Sequence, residues 1–268
     1  MAASFAGTVL FGDVVDSRRD PDSTAWLRSL CAELETAYPR DARLASFAFT
    51  QGDELQGLLA PGADPFRAVL LAAMHPDARE LRWAVVAGEI DPGTGPAIER
   101  TGRAFLVARE SIARARAHRD GLVAITGDPE ADERLADLGP LLAALLADLT
   151  PRQREVARLI VIDELRRSEA ADHLGVSRAT VSVIADRARV RHLGGLARTL
   201  ASIFAEGTRR ADEARSTDDA ADDEETDDAA TGDDAGGDPT TTRDPTTGDP
   251  TTGADGAGSA GIPAASAQ

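Results

Sequence analysis

The sequence predicts an α+β protein: a sheet domain, then an all-α domain, then a tail that has no core. Three observations carry this. Strand-like apolar runs alternate with helical stripes over residues 8–126, helical spacing alone continues over 149–205, and beyond 211 large apolar residues almost vanish. The divisions expected are a sheet domain at 1–128, a helical linker at 129–149, a helical domain at 150–210 and a disordered acidic low-complexity tail at 211–268.

Residues 8–15 read as the first strand. Residues 21–38 read as a helix capped by Asp20, because Trp26, Leu27, Leu30 and Leu34 fall on one side. Residues 44–50 and 54–60 read as two strands joined by a tight turn at Gln51-Gly52-Asp53. A helix over 65–74, a strand over 81–90, a helix over 104–118 and a short strand over 122–126 complete the domain. The order βαββαβ, with a last αβ element, predicts a ferredoxin-like sheet with helices on one face.

The stretch LTPRQREVARLIVIDELRRSEAADHLGVSRATVSVIADRA, residues 149–188, has the spacing of a helix-turn-helix. Val156, Leu159 and Ile160 make one stripe, and Ala170, Ala171 and Leu174 a second. A third helix starts at Ser177, a good N-cap, and turns Val181, Ile184, Ala185 and Ala188 to one face. Gly175-Val176 is a turn short enough to hold two helices at a steep angle. Outward lie Ala179 and Val183, flanked by Thr180, Ser182 and Arg187, residues small or polar enough for a major groove. Arg178 and the free N–H groups at the helix start are placed to meet phosphate. Asp186 also faces outward and is expected beyond the DNA. The stretch resembles the helix-turn-helix of sigma-factor-like bacterial regulators, in which LTPRQREV opens the unit and LGVSRATVS carries the turn and recognition helix. That likeness implies duplex DNA or RNA polymerase as a partner; the same pattern also suits a three-helix packing module without nucleic acid.

Charge agrees once the tail is set aside. Residues 212–268 hold 16 of the 46 acids and only Arg215 and Arg243, so the net charge of −17 misdescribes the rest. Residues 150–211 hold 12 Arg against 7 acids, whereas 1–149 hold 15 against 23. The chain has no Lys and is rich in Ala, Arg, Asp and Gly, as expected of a GC-rich, actinobacterial coding sequence. Its one cysteine, Cys31, falls in an amphipathic helix and reads as a small core residue. The opening residues lack the basic start of a signal peptide and no segment has the apolar length of a membrane span, so a cytoplasmic location is expected. The histidines at 75, 118, 173 and 192 have no metal-ligand spacing, and nothing matches a hydrolase triad or zinc site.

Two acidic motifs, GDVVDS after the first strand and QGDEL in the hairpin, would meet in such a sheet. Asp13 and Asp53 are then candidates to lie side by side, exposed at one edge, where paired carboxylates call for a cation such as Mg²⁺. Asp53 also suits a plain hairpin residue, and Asp16 and Ser17 suit the loop after the strand. FGDVVDSR, QGDELQGLL, RWAVVAGEI and TGRAFLVARESI, over residues 9–115, resemble the landmarks of the SatD family, some members of which continue into a helix-turn-helix. More distantly, the first two motifs resemble the metal-binding positions of class III nucleotide cyclases and GGDEF-type diguanylate cyclases. The resemblance implies a cyclase-like palm with metal at Asp13 and Asp53, and a nucleotide near Gly12, Asp16, Gly52, Glu54 and Arg109.

The departures matter too. Gln51 replaces the first glycine of the GGDEF signature, Leu106 stands where a cyclase asparagine orients ribose, and Arg109 aligns with the partner arginine only after a shift of one. The function expected is a DNA-binding regulator with a degenerate cyclase-like ligand-sensing domain. The alternatives are an Mg²⁺-dependent nucleotidyl-transfer or nucleotide-cyclising enzyme with regulatory helices, and a protein-interaction adaptor. Finally, Leu193, Leu196, Ala197, Leu200, Ile203 and Phe204 make one apolar stripe over 192–205, open either to a homodimer or to the chain's own helices.

Overall fold

The computed structural model describes residues 4–16, 23–50 and 53–228. Ser17, the Asp20 cap, Gln51, Gly52 and residues 229–268 of the expected tail lie outside the described residues. The fold is mixed α+β. Strands β1 (Phe5–Val14), β2 (Arg43–Phe49), β3 (Glu54–Leu59), β4 (Leu81–Ile90) and β5 (Leu122–Ile125) form one sheet in the order β2-β3-β1-β4-β5. β1 is antiparallel to β3 and to β4, and β5 joins β4 in parallel. Helices α1 (Ser23–Ala37), α2 (Phe66–Ala73) and α3 (Arg103–His118) fall where the apolar stripes place them.

Alternation along β1 feeds two cores. Leu10 and Val14 join Trp26, Leu27 and Leu30 of α1 and Leu71 of α2. Val9 and Phe11 join Val86 of β4 and Ala108 and Ile112 of α3. Helices therefore cover both faces of the sheet, not one. The reason lies in the strand: every residue from Gly7 to Val14 is buried, and a strand without a polar face needs cover on both sides.

Residues 129–149, read as a linker, form α4 (Pro129–Ala147), with Asp128 as N-cap: its Oδ1 accepts from the backbone N–H of Ala131 at 2.8 Å. Leu135, Leu142 and Leu146 of α4 are buried. At Gly139 an added Cβ would stand 3.0 Å from the carbonyl oxygen of Leu122, so this helix packs closely on β5. Then come α5 (Pro151–Val161), α6 (Arg167–Leu174), α7 (Arg178–Arg187) and the long α8 (Val190–Asp228).

The stripe on α8 is buried within the chain. Leu193, Ala197, Leu200 and Phe204 join the same core as Leu10 and α1, and the Phe204 ring meets Phe66 edge-on with centroids 5.9 Å apart. Of the two outcomes open to this stripe, a homodimer through 192–205 or the chain's own helices, the burial is of the second kind. An ion pair from Arg158 of α5 to Glu33 of α1, and another from Arg210 of α8 to Asp128 at 2.8 Å, span the same packing. The described residues up to 223 form one compact unit.

α8 also corrects the start of the tail. It runs through Ala211 to Asp228, and Ala211 is buried. Adding residues to an existing helix avoids the unfavourable nucleus, and the pairs Arg209–Glu213 and Arg210–Glu206 lie at i,i+4 along it. Among the described residues no helix is long and apolar enough to cross a membrane.

Candidate nucleic-acid interface and a buried carboxylate in the sheet

Local chemistry sets each helix of the 150–187 region. Thr150 and Gln153 cap α5 reciprocally, with Gln153 Oε1 accepting from Thr150 N at 2.9 Å and Thr150 Oγ1 accepting from Gln153 N at 3.3 Å. Glu169 Oε2 accepts from Arg166 N at 2.8 Å where α6 begins. Gly175 ends α6 at φ 61°, the left-handed conformation that turns the chain into α7. Ser177 caps α7, its Oγ accepting from Thr180 N at 3.1 Å.

Val181 and Ala185 of α7 are buried in one core with Val156, Ala157, Ala170 and Ala171. That packing fixes what faces out: Ser177, Arg178, Ala179, Thr180, Val183 and Arg187 are exposed, Val183 at 50%, and Ser182 is half-buried. The expected contact residues of α7 are thus accessible, Ser182 in part. Two details go beyond the sequence reading. The Thr180 hydroxyl lies 2.9 Å from Ser177 Oγ, so it shares the cap. Asp186, the acid that a groove would repel, is paired with Arg167 Nη2 of α6 at 2.9 Å. A neighbouring helix neutralises it, a contact 19 positions away that no local pattern announces.

In the sheet, the two acidic motifs do meet. Asp13 is opposite Glu54 on β3 and opposite Arg82 on β4, and Val14 N donates to the carbonyl oxygen of Asp53 at 3.0 Å. The setting differs from the one expected. Asp13 is 2% exposed, in the central strand of five and beneath α3, where the sequence reading placed it exposed at an edge. Its cations are arginines. Arg116 donates from Nε to Oδ2 at 2.9 Å and from Nη2 to Oδ1, and Arg82 Nη1 donates to Oδ2 at 3.3 Å. Glu54 Oε1 lies 3.9 Å from Arg116 Nη2. The hydrogen bonds to Asp13, reinforced by the charges of Asp13, Glu54 and Asp53, raise the pKa of Arg116 above the ordinary arginine value.

A metal fits this donor set poorly. Both oxygens of Asp13 already accept from guanidinium groups, and Mg²⁺ would have to displace Arg116 to reach them. Among the described residues, no group of three or more His, Cys, Asp or Glu is arranged to hold a metal ion.

The remaining candidates are dispersed. Gly12 is buried, and an added Cβ there would stand 3.3 Å from the Trp83 ring, which gives this glycine a packing reason. Asp16 is exposed at φ 55°, a left-handed turn position that Asp tolerates. Arg109 is exposed on α3, two turns before Arg116, and Leu106 is 62% exposed. Gly52 lies outside the described residues. Arg82 and Arg116 were missed by sequence reasoning. The signal for them was the acid itself, since an Asp in a fully apolar strand requires a cation, and Arg116 sits one helical turn after the core residue Ile112.

Residues 145–191 match the family model described as Sigma-70, region 4. No curated protein matches the chain. A solved structure similar to this one is that of a bacterial light-regulated adenylyl cyclase, at TM-score 0.34 and 14% identity over 46% of this chain and 43% of that one. The chain thus spans less than half the length of that protein.

Proposed function

We propose that this protein is a DNA-binding regulator in which α7 enters the major groove and the sheet serves as a non-catalytic, ligand-sensing body. The observation that carries the reading is the outward face of α7, where Arg178, Ala179, Thr180, Val183 and Arg187 are exposed while Val181 and Ala185 anchor the helix. Side chains this small let a helix approach base edges, and Arg178 beside the capped N-terminus suits a phosphate. The match of residues 145–191 to Sigma-70, region 4 supports the same reading and makes RNA polymerase the further candidate partner of these helices.

For residues 9–115, the SatD-like and cyclase-like reading is supported by the four motifs, and the order β2-β3-β1-β4 with antiparallel pairing is compatible with a ferredoxin-like palm. The Asp13–Arg116 pair favours a palm that uses a guanidinium in place of a metal. The enzymatic alternative requires Asp13 to leave this pair and face Mg²⁺. A regulator of this kind acts in the cytoplasm.

The test is capture of duplexes from a randomised pool by the full-length protein at low salt, followed by anisotropy titration of a selected duplex. Affinity should fall steeply with salt, and Val183→Glu, at an exposed position, should abolish binding without lowering thermal stability. No retained duplex at low salt, or equal binding by Val183→Glu, overturns the DNA reading.

A further inference from the structure

We infer that the cleft where α4 and α5 meet the sheet binds a small organic carboxylate with an apolar body, its anionic end against Arg154. The cleft is a cavity of about 370 Å³ bounded by α2, the start of β4, the turn before β5, the second half of α4 and the first turn of α5. That volume falls within the range of about 300–1,000 Å³ common to small-molecule sites.

Its walls have two characters. Leu81, Trp83 and Leu146, all buried, supply an apolar floor. Arg79, Arg119 and Arg154 come to the same cavity from three separate segments, against one acid, Glu80. Arg79 Nη1 already donates to the Asp77 carbonyl oxygen at 2.7 Å, so Arg154 and Arg119 are the cations offered here over the apolar floor, a combination that suits a ligand with a charged end and a hydrocarbon or aromatic body.

Arg154 gives the site its polarity. Its Nε is buried without a hydrogen-bond partner, and a buried donor is rarely left so in a native fold. Burial, together with the nearby charge of Arg79, lowers its pKa from the ordinary arginine value, the condition that a bound anion would relieve.

Leu81 and Trp83 flank Arg82 on β4, and by strand alternation they face the side of the sheet opposite to the Asp13–Arg82 pair. The site deepens the regulator reading and rests on it only for a consequence at DNA. Arg154 belongs to α5, the first helix of the Sigma-70 region 4 match, so an anion here would tie α5 to the sheet.

The probe is benzoate, with benzamide as its neutral counterpart and acetate as the anion without a ring. The full-length protein carrying Trp26→Phe leaves Trp83 as its one tryptophan; Trp26 Nε1 is buried without a partner, so Phe suits that position. Benzoate should change Trp83 fluorescence saturably and raise the melting temperature at constant ionic strength, while benzamide and acetate do neither. Arg154→Gln should weaken benzoate at least about tenfold, the order expected for losing a charge-assisted hydrogen bond. Ala144→Phe, at an exposed position in the lining, should block the cleft with Arg154 intact and abolish the response. The inference is overturned by no saturable change up to tens of millimolar benzoate, by equal responses to benzamide, or by an undiminished response in either variant. All readouts are taken without DNA, so a protein that binds benzoate but no duplex supports the site and overturns only the regulator reading.

Discussion

The guanidinium of Arg116 on α3 closes over both carboxylate oxygens of Asp13 on β1, across 103 positions of sequence. Asp13 is almost fully buried, while the Arg116 side chain is 48% exposed, so the carboxylate depends on the pair more than the arginine does. Removing one partner from a buried pair leaves a desolvated charge. Arg116→Met should therefore destabilise by about 2 kcal/mol, softened from the fully buried case because Arg82 remains. Asp13→Asn leaves the half-exposed Arg116 rather than a buried anion unpaired and should lose less, about 1 kcal/mol, and added Mg²⁺ should move the urea midpoint of neither parent nor variant. A stabilised Asp13→Asn protein with loss of an Mg²⁺ response present in the parent would restore the metal site.

Phe204 tests where the α8 stripe is buried. Its ring is 3% exposed and packs on Phe66, so Phe204→Ala should open a cavity and cost about 3–5 kcal/mol in a monomer whose melting temperature is independent of protein concentration. A dimer through this face predicts instead a concentration-dependent melt and a monomer little affected by the change. Sedimentation and thermal melts over a range of concentrations separate the two.

Arg178 is exposed beside the capped start of α7. Arg178→Ala should weaken binding to every duplex by a similar factor and reduce the slope of log affinity against log salt by about one, as for loss of one phosphate contact. Ala179→Ser, on the same exposed surface, should alter sequence preference with the salt slope unchanged. If Arg178→Ala narrows preference and keeps the slope, the helix is docked in another orientation.

Turn chemistry is a separate prediction. Gly175→Ala forces a Cβ onto a residue at φ 61° where nothing crowds it, so its effect should be purely conformational, about 1 kcal/mol. Ser177→Ala should lose about 1 kcal/mol through the cap, and more of the Thr180 orientation than Thr180→Ala loses of the cap. Melting curves of the three variants check the order.

The elements were legible because each rests on local rules. Residues 81–90 match β4, and the stripes of α5, α6 and α7 and the cap at Ser177 follow from spacing alone. The helix on the second face of the sheet was readable in β1, where Val9 and Phe11 are as apolar as Leu10 and Val14, because a continuous apolar run asks for cover on both sides. That Asp13 requires a cation was legible, but not which arginines supply it. Nothing local distinguishes Arg116 from the exposed Arg109 on the same helix, since the choice depends on which turn of α3 crosses β1. The Asp186–Arg167 pair has the same origin in tertiary packing, and so does the convergence of Arg79, Arg119 and Arg154.

His75, 5% exposed, makes the stability depend on pH through one proton. Its Nδ1 accepts from Asp77 N at 3.1 Å, which requires that nitrogen to be unprotonated and places the proton on Nε2, 3.1 Å from Ser29 Oγ. Burial lowers its pKa from the ordinary value of 6.5, with Glu33 and Asp77 opposing and Arg158 assisting. Below the unfolded value the unfolded chain binds the proton first, so stability is complete above about pH 6.5 and falls as pH drops toward the folded value. Asp128, whose pKa is lowered by the Ala131 N–H and by Arg210, acts in the same direction but only below the ordinary carboxylate value. His75→Gln keeps an acceptor for Asp77 N and cannot titrate. Urea midpoints from about pH 7.5 to 5.5 should fall for the parent and stay level for His75→Gln. Parallel falls in the two proteins would assign the loss to another group and leave His75 as a packed polar residue.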